Sequence, residues 1–135
     1  MANSLIGQPP PFALSQAGFR FKALASHAGR ASLGGDREVA FACFATARLA
    51  SAMLPPFILS PVDSAARIAS TKHWLASLAV PPATRASLNG VIDAIADGNR
   101  RSVATGLSSL AEVAAPQLDP ASAGEIRDLA AELAG

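Results

Sequence analysis

The sequence predicts an all-α fold, a compact bundle of five to six short antiparallel helices, on three observations. Apolar residues recur at helical spacing, most clearly as Leu88, Val91, Ile92 and Ile95 at i, i+3, i+4 and i+7. Proline and glycine, 10 of each, cut the chain into helix-length pieces, and the short connections between them favour antiparallel neighbours. No segment has the strict alternation or β-branched enrichment of a strand.

Each element follows from local chemistry. Gln8-Pro9-Pro10-Pro11 is an extended opening that cannot be helical. A weak helix is expected over Phe12–Ala28, interrupted by Gly18 and closed by Gly29. After Gly34-Gly35, Asp36 is the expected N-cap of a helix from Arg37 to Leu54. Val39, Phe41, Phe44, Leu49, Met53 and Leu54 spread around most of its circumference, so it should be buried on all sides. Such a helix is either the centre of a bundle or half of a subunit interface. Pro55-Pro56 ends it.

Pro61 opens the next helix, to about Ala79, with Ala65, Ile68, Ala69, Leu75, Leu78 and Ala79 expected to face inward. Ala83–Asp97 follows Pro81-Pro82 and ends at Gly98, a suitable left-handed residue. Asn99 then caps a helix whose inner face is Val103, Leu107, Leu110, Val113 and Ala114, stopped by Pro116. The last helix starts at Asp119-Pro120 or at Ser122, where Ser122 and Glu125 have the spacing of a capping box. Its inner residues should be Ile126, Leu129, Ala130 and Leu133. Residues 1–35 are therefore read as an N-terminal arm, partly ordered or with one weak helix, and residues 36–135 as the bundle domain.

With 135 residues the chain is one domain of ordinary size, which excludes a multidomain enzyme. Half of it is apolar, yet 31 of those residues are alanine, so the core rests on 33 Leu, Ile, Val and Phe. That is enough to fold. The span 39–59 carries one charge, Arg48, where membrane insertion costs about 2.5–3.5 kcal/mol. With Pro55-Pro56 closing it early, it reads as a helix buried in protein and not as a transmembrane segment. No secretory signal is visible, and the expected location is cytoplasmic. Cys43, the single cysteine, sits between apolar neighbours and reads as a small buried residue.

Charge is uneven: residues 1–80 carry +4 and residues 81–135 carry −3. This layout suits head-to-tail contact or an acidic partner. The positives are too few for strong nonspecific binding to nucleic acid, which is not an expected partner.

The motifs with chemical potential are sparse. Asn99-Arg100-Arg101 opens a helix, where exposed amides and cations suit an anion, unless Asp93 and Asp97 across the turn neutralise the arginines. His73 and Trp74 are distinctive, but neither histidine, His27 or His73, has the partner spacing of a triad or metal site. No phosphate-binding loop is present. Catalytic residues, cofactors and metals are accordingly not expected.

The reading is a non-enzymatic protein–protein interaction module, a homo-oligomer or a small adaptor or regulatory subunit. A mean hydropathy of +0.31 is high for a monomer, and aromatic and Met side chains dominate contact energies. The expected anchors are Phe41, Phe44, Met53, Phe57 and Trp74. The rival is a nucleic-acid-binding regulator that uses the 83–115 hairpin, with Gly98 in its turn and Arg100, Arg101, Ser102 and Thr105 on its second helix.

Overall fold

Helix signals at the ends of each segment set the architecture. A computed structural model describes residues 21–29, 35–54 and 61–135. Within them run six α-helices: α1 (Lys22–Gly29), α2 (Gly35–Ser51), α3 (Pro61–Leu75), α4 (Pro82–Ala96), α5 (Arg100–Ala114) and α6 (Pro120–Ala134). A single 3-10 turn, Ala115–Gln117, joins α5 to α6, and no strand occurs among the described residues. The all-α expectation holds. None of these helices is long and apolar enough to cross a membrane.

The turn between α4 and α5 is the most fully specified. Gly98 has φ +70°, a left-handed conformation that costs glycine nothing. Its N–H donates to Ile95 O (3.0 Å) and that of Asn99 to Ala94 O (3.1 Å), satisfying two terminal carbonyls of α4. The Asn99 side chain then accepts from Ser102 N (3.1 Å), capping α5 as its position predicts. The hairpin is antiparallel along its length, because Gly106 lies directly on Val91, each about two turns from the bend.

That contact makes a paired prediction. A Cβ at Gly106 would lie 2.9 Å from Val91 Cγ2, and Val91 is fully buried and stiff at χ1. Overpacking costs about 1–3 kcal/mol, against about 1 kcal/mol gained in helix propensity. Gly106→Ala should therefore lower the urea midpoint. Gly90→Ala, with nothing within 4 Å, should raise it by the propensity alone.

Helix α2 is the centre of the molecule and touches every other helix. Its stretch Ala42–Ala47 is entirely buried, which matches the apolar circumference. The chain itself supplies that cover. Asp36 lies inside the first turn, where its carboxylate favours the helix dipole; α2 begins one residue earlier, at Gly35.

Residues 21–29, placed in the arm on sequence, share this core: Phe21, Leu24 and Ala28 are buried in the same cluster as α2. The reason is a carboxylate one hundred residues away. Glu125 on α6 accepts from Ala23 N (2.7 Å) and Leu24 N (2.9 Å), satisfying two exposed donors of the short helix α1. Glu125 is thus no capping-box partner of Ser122. Asp119 caps α6 instead, accepting from Ser122 N (2.8 Å), with Pro120 in the first turn. Residues 1–20, with the proline opening and most of the expected first helix, lie outside the described residues, as does Pro55-Pro56.

Helix α3 departs furthest from expectation. It ends at Leu75 and buries only Thr71 and Leu75, with Ser64 and Ile68 half-buried. Ala65, Ala69 and Ala79, expected inside, are exposed. The true inner line, Ser64–Ile68–Thr71–Leu75, contains two hydroxyls that an apolar pattern passes over.

Candidate functional site

The site is built around α3, which is pinned firmly at one end. The carbonyls of Leu75, its last residue, and of Leu78, in the turn beyond, accept from the two terminal nitrogens of Arg85, and Glu38 of α2 accepts from Ala79 N (2.8 Å). Lys72 Nζ reaches Asp93 of α4 at 2.9 Å. Both partners are well exposed, so the pair contributes at most about 1 kcal/mol. In the first turn of α3, Val62, 79% exposed, projects into solvent.

The expected interface anchors separate into three groups. Phe41 and Trp74 meet edge to face across α2 and α3, centroids 6.0 Å apart at 78°, both half-buried. Above Phe41 lies the Arg37 guanidinium, 5.2 Å from the ring centre, whose Nε also donates to Ala28 O (2.8 Å). Met53 is half-buried at the far end of α2, beside a cavity of about 290 Å³ bordered by Leu49, Ser64, Ile95, Gly98 and Arg100. Phe44 belongs to the core: it is 3% exposed and edge-on to Phe21, centroids 6.4 Å apart. Phe57 lies outside the described residues.

The arginine pair is placed differently from its expected neighbours. Asp93 turns to Lys72, and Arg100 Nη2 lies 3.4 Å from Glu132 O, near the end of α6. Arg101 and Asp97 are exposed. Since Asn99 already occupies the Ser102 amide, the start of α5 offers an anion fewer donors than its sequence implied.

His73 is exposed. His27, 5% exposed, has Nδ1 at 3.9 Å from Asp119 Oδ2, and Ser122 donates its amide N–H to the same carboxylate. A serine, a histidine and an aspartate do therefore meet, a grouping invisible in the sequence because 92 residues part His27 from Asp119. Ser122 is fully buried, however, so no substrate reaches its Oγ. Burial also pushes the Cys43 thiol up to about 12, which keeps it protonated and unreactive at neutral pH. Among the described residues no group of three or more His, Cys, Asp and Glu is placed to hold a metal.

One feature went unread in the sequence. Between α2 and α3 opens a cavity of about 300 Å³ lined by Ala45, Arg48, Leu49, Ala66, Arg67, Ser70 and Thr71. It brings together two arginines 19 positions apart, and sequence spacing across a helical turn-round carries no signal for that.

Compared with known proteins, the chain matches no family model, no curated protein and no solved structure.

Proposed function

We propose that the chain is a non-enzymatic helical module for protein–protein association, that its contact surface is the outer side of α3 with the adjoining edge of α2, and that a second copy of the chain occupies it. The observation that carries the reading is the shallow seating of α3. Phe41, Ile68 and Trp74 remain only half-buried along it, and Val62 is exposed outright. Aromatic side chains seated in this way make the strongest contacts of an interface once a partner removes the remaining water.

Charge supports a copy of the chain as the occupant. Residues 1–80 carry +4 and residues 81–135 carry −3, although exposed Asp63 on α3 and exposed Arg100, Arg101 and Arg127 on α5 and α6 mix the signs locally. Opposite net charge on the two halves of the chain suits a head-to-tail contact, which closes into a ring or continues as a filament.

Val62→Asp tests the surface without touching the core. The variant should keep its helicity and thermal midpoint but sediment as a monomer. Unchanged association of a folded Val62→Asp chain would remove α3 from the interface.

A further inference from the structure

We infer that the outer face of α5 is the counterpart of the α3 surface: it takes up α3 of a second copy, side by side and parallel, with Arg101 against Asp63 and Glu112 against His73. The inference rests on the reading above and names what the α3 surface meets. Its first ground is the charge at the helix ends. Helix α3 follows its dipole, with Asp63 in the first turn and Lys72 and His73 in the last. Helix α5 reverses the order: Arg100 and Arg101 stand in its first turn and Glu112 in its last. Both ends therefore oppose the dipole, and among the described residues neither Arg101 nor Glu112 has an ion pair to compensate. Local rules broken without compensation inside a fold mark functional positions.

The two outer faces match in spacing. On α3, Val62, Ala66, Ala69 and His73 are exposed at i, i+4, i+7 and i+11, one line along the helix. On α5, Arg101, Thr105, Ser108 and Glu112 are exposed at the same intervals. Arg101 and Glu112 stand about 16 Å apart along α5, and Asp63 and His73 about 15 Å apart along α3. Laid parallel, the helices pair opposite charges at both ends. Laid antiparallel, they set Asp63 against Glu112, and Lys72 and His73 against Arg101, which disfavours that orientation. His73 donates a hydrogen bond to a carboxylate whether or not it is protonated, and Asp63 accepts from Arg101 alongside its partner within the chain. Asp63 already supplies the counter-charge of Arg101, so a second carboxylate at position 62 is left uncompensated and Val62→Asp still separates the copies. Helix α4 packs on both α3 and α5, and both faces turn outward, so the contact forms between copies and each copy offers one of each face.

Light-scattering masses of full-length variants at low salt test the pairing. Arg101→Glu together with Glu112→Arg reverses both ends of α5. This double variant should keep its helicity and melt no lower than the wild type, its charges now running with the dipole. It should nevertheless associate about a hundred-fold more weakly, since two attractive pairs have become repulsive. His73→Glu alone should weaken association, and adding Glu112→Lys should restore it. Mixed with Val62→Asp, in which only the α3 face is damaged, the α5-reversed chain should form a pair of twice 13.7 kDa, because one intact α3 then meets one intact α5. An α5-reversed chain that keeps the wild-type mass, or a His73→Glu loss that Glu112→Lys leaves unrestored, would each overturn the assignment of α5 while leaving α3 as a contact surface. A wild-type chain of 13.7 kDa at every salt concentration would overturn both readings.

Discussion

Phe44→Asp is expected to unfold the chain, not merely to separate its copies. Phe44 is 3% exposed in the middle of α2, edge-on to Phe21, and α2 touches every other helix. Removing a buried phenyl costs about 3–5 kcal/mol. A carboxylate left in its place adds a desolvation penalty of several kcal/mol more, because the surrounding cluster is apolar. A domain of this kind has about 5–15 kcal/mol in all. Far-ultraviolet circular dichroism should therefore show lost helicity and no cooperative melt. A folded Phe44→Asp chain would mean that the core is centred elsewhere. Val62→Asp provides the contrast, the same charge introduced at a site with no core to disrupt.

Glu125→Ala should release α1. The helix has 8 residues, too few to persist without tertiary support. Its first donors are held by the Glu125 carboxylate, and its buried residues are Leu24, His27 and Ala28, with Phe21 buried just before it. Losing a charge-assisted cap of two bonds should cost about 1–3 kcal/mol. The loss is also local: amide exchange in residues 22–29 should accelerate far more than in α4 or α5. Glu125→Gln retains one acceptor oxygen and should fall between. Equal protection of α1 in Glu125→Ala and wild type would show that apolar burial alone holds the helix.

What was legible in the sequence tracks the strength of the apolar period. In α4, Leu88, Val91, Ile92 and Ile95 are all buried, as are Ile126, Leu129, Ala130 and Leu133 in α6. On α5 the pattern misplaces one residue: Val113 is 37% exposed, and Ala111 takes the inner position. Alanine is silent in such a pattern, being tolerated on either face. The same silence hid the inner line of α3.

Long-range polar contacts were out of reach for a different reason. Glu125 has the local spacing of a capping box, and only the packing of α1 against α6 gives its carboxylate better donors. Asp93 was matched to the arginines beyond the turn, whereas the approach of α3 brings Lys72 to it first. The candidate site depended on the same step. Phe41 and Trp74 were identified as aromatic anchors, but that they touch, and that Arg48 and Arg67 share a cavity, follows from how α3 lies on α2.

The central claim, that the α2–α3 side takes up a second copy of the chain, is tested most directly by the absolute mass of the full-length protein. Light scattering behind a sizing column, at low and high salt, measures it. The account predicts a stable multiple of 13.7 kDa at low salt that falls toward 13.7 kDa as salt screens the head-to-tail charge contact. A mass of 13.7 kDa at both salt concentrations would contradict it.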